Sequence, residues 1–295
     1  MPWQPDPLDI SVLNLALDED LGSPWCDVTT ELLFPLATNT QRHQAKIVSK
    51  HPEPIAICGI EWLRLLFTRL SSHCDIQSSY IDGQQLVPGA ELLTITGDAQ
   101  TLLKGERTAL NYLRHLCAIA TLTARYVDRV KDSSLKILDT RKTSPGLRRL
   151  EKYAVHCGGG VNHRMGLYDA IMVKDTHVDM SGGMKRVMEV LPRLNPQSLP
   201  VIIEVRTRQE LDEVFALGQK KVNRVLLDNM PLLTMQHCAA DCRGIFETEA
   251  SGNITLNTIA AVAATGVDYA SIGELTYGAG QVDLSMRGYQ NYSMS

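Results

Sequence analysis

The sequence predicts a mixed α/β protein, with an incomplete (β/α) barrel in its C-terminal part and an α+β unit with an antiparallel sheet before it. Three features carry this. Beyond residue 135, short apolar runs alternate with helical segments, the pattern of parallel strands joined by helical crossovers. The first hundred residues instead hold β-like runs divided by turn signals, and a long periodic helix stands between the two parts.

In chain order, "PLDISVLNLALDEDLG" reads as a helix opened by Asp and closed by Gly22. "HQAKIVSK", "CDIQSSYIDGQQLVPG" and "ELLTITG" follow as strands separated by Asp-Gly and Pro-Gly turns, with "GIEWLRLLFTRL" inserted as a helix. "ERTALNYLRHLCAIATLTARYVDRVKD" gives the long helix, with Ala109, Leu110, Leu113, Leu116, Cys117 and Ala120 on one stripe. The parallel strands are "LKILDT", "AIMVKD", "VIIEVR", "RVLLDN", "IFETEAS" and "YASIG". Residues 1–115 with 277–295 are assigned to the N-terminal unit, and 116–276 to the barrel that carries the site.

The strand ends are the informative detail. Asp139 and Arg141, Lys174, Glu204, Asp228, Glu249 and Ser251, and Gly273 all stand where an apolar run meets its following loop. At the C-terminal mouth of a barrel these groups converge. An open doubly wound sheet would gather them as well, so the pattern locates the site without choosing the fold. The parallel part is short for a closed barrel of about 250 residues, which favours an incomplete one.

Composition narrows the function. A net charge of -4 and a pI of about 6.1 give no surplus of cations to replace counterions along a nucleic acid. No apolar run reaches membrane-span length and the start has no signal-peptide pattern, so a soluble cytoplasmic protein is expected. Seven scattered cysteines without a C-x-x-C pair suggest reduced thiols, and in "HCAADC" His237, Cys238 and Cys242 fit a packed helix face better than a metal site.

One segment reverses the overall charge. Residues 140–165 carry six Lys or Arg and two His against one acid, Glu151. Ser144 and Pro145 predict an N-cap and first helical position for "GLRRLEKYAVHC", with Arg148, Arg149 and Lys152 on a solvated face. Arg141, Lys142, His163 and Arg164 flank that helix and are the better candidates for ligand contact. Arginine forks match planar carboxylates, so the set suits a small ligand with at least two negative groups. In "CGGGVNHRMG" the glycines lack a phosphate-motif context and read as the turn that aims His163 and Arg164, with Cys157 a packed residue.

The stretches "ERTALNYL", "AIATLTARYV", "ILDTRKTSPGLRRLEKYAVHCGGGVNHRMGLYDAIMVKDTH", "LLDNM", "TGVDYASIGELT" and "VDLSMR" together resemble the quinolinate phosphoribosyltransferases. The resemblance covers nearly the whole chain and is most specific over residues 106–177. It implies transfer of phosphoribose from phosphoribosyl pyrophosphate to quinolinate with decarboxylation, in NAD biosynthesis. Nicotinate mononucleotide, pyrophosphate and CO2 are the implied products, Mg2+ the implied cofactor, and a homodimer with shared active sites the implied assembly. A paralogue acting on another anionic base, or a non-catalytic anion binder, are the alternatives.

By the same resemblance Arg141, His163, Arg164 and Lys174 bind quinolinate, and Arg107 reaches the neighbouring subunit's site. Lys142, Glu204 and Asp228 act in catalysis around phosphoribosyl pyrophosphate and its metal, with Glu106 and Asp175 as weaker acidic members. Ser251, Gly252, Asn253 and Gly273 occupy the phosphate loops. Asn253 stands where the family has a second glycine, and is the residue type that tolerates a left-handed backbone best after Gly. Arg206, Thr207 and "YGAG" at 277–280 also depart from the family pattern.

Overall fold

A computed structural model describes residues 3–35, 41–194, 198–218 and 221–289. Along the chain come α1 (Pro7–Leu21), α2 (Val28–Leu33), β1 (His43–Ser49), β2 (Ile55–Ala56), α3 (Ile60–Leu70), β3 (Asp75–Gln77), β4 (Gln85–Leu86) and β5 (Glu91–Gly97). Then follow α4 (Ala99–Arg129), β6 (Lys136–Leu138), α5 (Arg148–Cys157), β7 (Ile171–Val173), α6 (Asp175–Ser181), α7 (Met184–Leu194) and β8 (Val201–Val205). The remainder is α8 (Arg208–Gly218), β9 (Arg224–Asp228), α9 (Leu232–Cys242), β10 (Glu247–Ser251), α10 (Ile259–Ala264), β11 (Tyr269–Ser271), α11 (Glu274–Tyr277) and β12 (Leu284–Tyr289). Two compact units result, one of residues 1–122, 144–159 and 279–295, the other of 123–143 and 160–278. The assigned segment 277–295 ends in residues 290–295, which lie outside the described ones.

The first unit is the expected α+β part. Its antiparallel sheet has the order β12-β1-β5-β3, and β2 pairs with β4. Helix α1 opens as predicted: Asp6 accepts from the amides of Leu8 and Asp9, and Asp9 returns a carboxylate to the Asp6 amide. Trp62 of α3 is buried between Trp3 and Tyr112, at centroid distances of 5.4 and 4.8 Å. The predicted stripe of α4 is buried from Ala109 to Ala120. Buried apolar area of this kind supplies most of the driving force for folding, at about 25 cal/mol per Å².

The second unit holds six parallel strands in the order β6-β11-β10-β9-β8-β7. Read as a ring, this is simple sequence order with one break, between β6 and β7. A doubly wound sheet would reverse direction at a switch point; here there is none, so the arrangement is an incomplete barrel. The break coincides with the chain's detour: between β6 and β7 the helix α5 belongs to the first unit. Val161 partly fills the open side, pairing in parallel with Leu138.

Two local expectations are corrected here. Helix α5 starts at Arg148 with Leu147 as its cap, not at Ser144 and Pro145. The Ser144 amide instead donates to the Glu151 carboxylate, at 3.3 and 3.2 Å, and Gly146 takes a positive φ of 81° that precludes helix there. Nor is the basic face of α5 solvated. Lys152 is 1% exposed, Glu151 is buried against His115, and Arg149 pairs with Asp6 and Asp9 at 2.9 and 3.2 Å. Helical periodicity marks the apolar face; it says nothing of polar partners supplied by α1 and α4.

Cys238 and Cys242 are buried on α9 while His237 is exposed, so the packed face holds the two cysteines without the histidine. No helix among the described residues is long and apolar enough to cross a membrane.

Candidate active site

The C-terminal ends of the six parallel strands surround a cavity of about 870 Å³. Arg141, Lys174, Glu204, Asp228, Ser251 and Gly273 line it from at or just beyond the strand ends, as the sequence had placed them, whereas Glu249 lines it from the middle of β10. Lys142, His163, Arg164, Gly252 and Asn253 complete the predicted members present. Asp139 is the exception among the strand-end groups. It is buried beneath the wall, where it accepts from the His163 amide at 2.8 Å and from Asn162 Nδ2 at 2.6 Å. Asp139 therefore holds the loop that carries two of the predicted ligand groups.

One wall is cationic. Arg164 donates Nη1 to the Ala170 carbonyl at 3.1 Å, which fixes its guanidinium, while Asp169 caps the turn by accepting from the Met165 and Gly166 amides. Burial, and then the charge of Arg141, pull the Arg164 guanidinium below its ordinary range. Nε of Arg141 and Nε of Arg164 are buried with no hydrogen-bond partner among the described residues. Buried donors of this kind normally find an acceptor. The wall is thus built for an anion.

The facing acids come from neighbouring strands. Glu204 at the end of β8 accepts from Lys174 Nζ at 3.1 Å, and Asp228 ends β9. Asp228 Oδ2 accepts from Asn229 Nδ2 at 3.0 Å, and Asn229 Oδ1 accepts from Asn253 Nδ2 at 3.0 Å. Both asparagines lie in the left-handed region, at φ 52° and 53°, so the backbone expected of Asn253 is the one it adopts. Gly252 between them has φ 94°, and a Cβ there would come within 2.2 Å of Asn229 Oδ1. Sequence reasoning missed Asn229; an Asn following a strand-end Asp was the available signal.

The last wall is the turn after β11. Gly273 lies under Lys142, whose Cδ would be 2.9 Å from a Cβ at that position. Thr276 Oγ1 donates to the Lys142 carbonyl at 2.7 Å and so ties the end of β6 to α11. Tyr277 and Gly278 of the departing "YGAG" segment line the cavity. Arg206 does not: it is held outside by Glu210, at 2.6 Å, and by Asp179. Its departure from the family pattern leaves the cavity untouched.

Three predicted residues lie elsewhere. Glu106 and Arg107 are on α4 in the first unit, Arg107 exposed, and Asp175 begins α6 with its carboxylate accepting from the Thr176 amide. None lines the cavity. Among the described residues, the group of three metal-capable side chains is Cys58, Asp82 and Cys157 in the first unit. There the Asp82 carboxylate is occupied by the Gly59 and Ile60 amides and Tyr153 Oη. Cys157 accordingly belongs to the packing of the first unit.

An incomplete parallel barrel whose strand ends pair a guanidinium-rich wall with two carboxylates and glycine turns defines a class of proteins that bind small anionic ligands at the barrel mouth. The comparisons with known proteins make this particular. Residues 119–287 match the quinolinate phosphoribosyl transferase C-terminal domain, and residues 27–117 its N-terminal domain. A relative from Bacillus subtilis (strain 168), described as a probable nicotinate-nucleotide pyrophosphorylase [carboxylating], is 37% identical over 275 residues, 93% of this chain and 91% of that one. Quinolinate phosphoribosyltransferase [decarboxylating] 1b of Nicotiana tabacum is 35% identical over 291 residues, 94% of this chain and 81% of that one. Among solved structures, the nicotinate-nucleotide pyrophosphorylase from Francisella tularensis superposes with a TM-score of 0.89 at 32% identity, covering 97% of this chain and 98% of that one. The chain belongs to the quinolinate phosphoribosyltransferase family.

Proposed function

We propose that the cavity carries out the family's reaction: phosphoribosyl transfer from phosphoribosyl pyrophosphate to quinolinate with decarboxylation, yielding nicotinate mononucleotide, pyrophosphate and CO2 for NAD biosynthesis. The observation that carries the assignment is the wall on which Arg141 and Arg164 bury unpartnered Nε donors beside Lys174. Two adjacent carboxylates on a planar ring answer that wall, because each guanidinium presents parallel donors to two oxygens. In this reading Arg141, Arg164 and Lys174 take the carboxylates, and His163 shapes the same wall.

Phosphoribosyl pyrophosphate then lies toward β8 to β11. Its 5'-phosphate fits the turns at Ser251 to Asn253 and at Gly273, where free amides favour an anion. Lys142, over Gly273, supplies a point charge to the same substrate. As the pyridine nitrogen attacks and pyrophosphate departs, positive charge grows on the ribose, and Glu204 and Asp228 stabilise it. No covalent nucleophile is needed, and catalysis rests on orientation and electrostatics.

Mg2+ fits this donor set. It binds through one or two carboxylates together with substrate phosphates, and Glu204 and Asp228 are two such carboxylates on the wall that receives the pyrophosphate. When bound it would neutralise the leaving group's charge. We assign no first role to Glu106 or Asp175. Arg107, exposed on α4, fits the role of a residue completing the site of a second copy in a homodimer.

The test is direct. Purified protein given quinolinate, phosphoribosyl pyrophosphate and Mg2+ is expected to release CO2 and nicotinate mononucleotide in equal amounts. Binding of both substrates without product would refute the enzymatic reading and leave an anion-binding protein.

A further inference from the structure

We propose that Glu249 is a positioning residue for the carboxylate clamp, acting through the His163 imidazole on the main chain of Arg164. This rests on the cavity being a quinolinate site. Glu249 lies in the middle of β10 and is 0% exposed. Barrel interiors are filled mainly by branched apolar side chains, and a buried carboxylate persists only when its oxygens are matched. Here one oxygen is matched by a hydrogen bond and the other by an ion-pair contact too long to be one. Oε2 accepts from Arg224 Nη1 at 3.1 Å, and Oε1 faces His163 Nε2 at 3.5 Å.

Each end of this chain is anchored. The Arg224 guanidinium lies 3.7 Å from the centroid of the Tyr269 ring and also pairs with Glu247 at 3.1 Å, so Glu249 is held from behind. On the other side His163 Nδ1 accepts the Arg164 amide at 2.7 Å. A ring nitrogen that accepts carries no proton, so the imidazole proton sits on Nε2, directed at Glu249. The imidazole thus joins a fixed carboxylate to the backbone of Arg164. With Nδ1 accepting the Arg164 amide and Nε2 facing the buried carboxylate, the imidazole is placed to orient the clamp. Arg164 must be placed to within about 0.5 Å for a bidentate contact, which is the tolerance such a support would enforce.

The experiment is a double-mutant cycle on the full chain, with KM measured separately for quinolinate and phosphoribosyl pyrophosphate. Glu249→Gln is expected to raise the quinolinate KM at least tenfold and the phosphoribosyl pyrophosphate KM less than twofold. His163→Asn, whose carboxamide can still accept the Arg164 amide, removes the arm that reaches Glu249. In that background Glu249→Gln is expected to add less than a further twofold, because partners in one network are not additive. An undiminished effect of Glu249→Gln in that background, or an equal rise in both KM values, would overturn the proposal.

A second measurement needs no variant and no turnover. Imidazole nitrogen chemical shifts of the wild-type protein should show Nε2 protonated and Nδ1 bare. The opposite tautomer would remove the link to Glu249. Absence of turnover and of diacid binding by wild-type protein showing the expected tautomer would instead refute the quinolinate assignment alone.

Discussion

Replacing Gly252 with Ala is a single-methyl perturbation whose consequences can be followed atom by atom. The new Cβ would stand 2.2 Å from Asn229 Oδ1, on a backbone of φ 94°. Holding a non-glycine residue in such a conformation costs roughly 1–3 kcal/mol. Relieving the contact moves the Asn229 carboxamide, which forfeits its bonds to Asp228 and Asn253, each 3.0 Å long. Those two bonds are worth about 0.5–1.5 kcal/mol apiece.

The sum is about 2–6 kcal/mol, and since about 1.4 kcal/mol is tenfold in rate, kcat/KM for phosphoribosyl pyrophosphate should fall at least about 30-fold. Binding of phthalate, a non-reacting 1,2-diacid, should change less than threefold, because Arg141, Arg164 and Lys174 sit on other elements. Steady-state kinetics with varied phosphoribosyl pyrophosphate and calorimetric titration with phthalate read the two halves separately. A variant within twofold of wild type toward phosphoribosyl pyrophosphate would refute the placing of that substrate over Asn229 and Gly252.

Other expectations follow from the same geometry. Arg107→Ala and Lys142→Ala should each be inactive alone, while mixed and re-associated they should recover up to about a quarter of wild-type activity if sites are shared in a C2 dimer, since half the dimers would be hybrids with one intact site; no recovery in a demonstrated hybrid contradicts a shared site. For Glu249, burial alone would raise the carboxyl, but His163 and Arg224 more than offset it and leave the group below its ordinary value. A depressed folded value stabilises the protein above the unfolded value of about 4.3 and is lost as pH falls through the folded one. The Tm advantage of wild type over Glu249→Gln should therefore shrink on passing from pH 7 to pH 3, and an advantage that stays constant would contradict the linkage.

Much of the fold was legible because the two halves obey different periodicities. Each of the six parallel strands was announced by an apolar run ending in a polar or glycine residue, and those ends converge because parallel strands in one sheet share a direction. The left-handed backbone at Asn253 was likewise legible from residue type alone. What stayed hidden depends on partners distant in sequence. Lys152 is buried although its helix face reads as solvated, and His163 is engaged by Glu249 from β10 as well as by its own neighbour Arg164. Asn229 escaped notice because its importance comes from the approach of Gly252, a loop later.

The central claim is that Arg141 and Arg164 form a clamp for two carboxylates, and competing substrates test it most directly. Nicotinate lacks one carboxylate and would leave a desolvated cation unpaired, at a cost of about 3–5 kcal/mol, or roughly 10² to 10⁴ in rate. Measured with saturating phosphoribosyl pyrophosphate and Mg2+, kcat/KM for quinolinate should exceed that for nicotinate by at least about 10². Comparable values for the two would contradict the clamp.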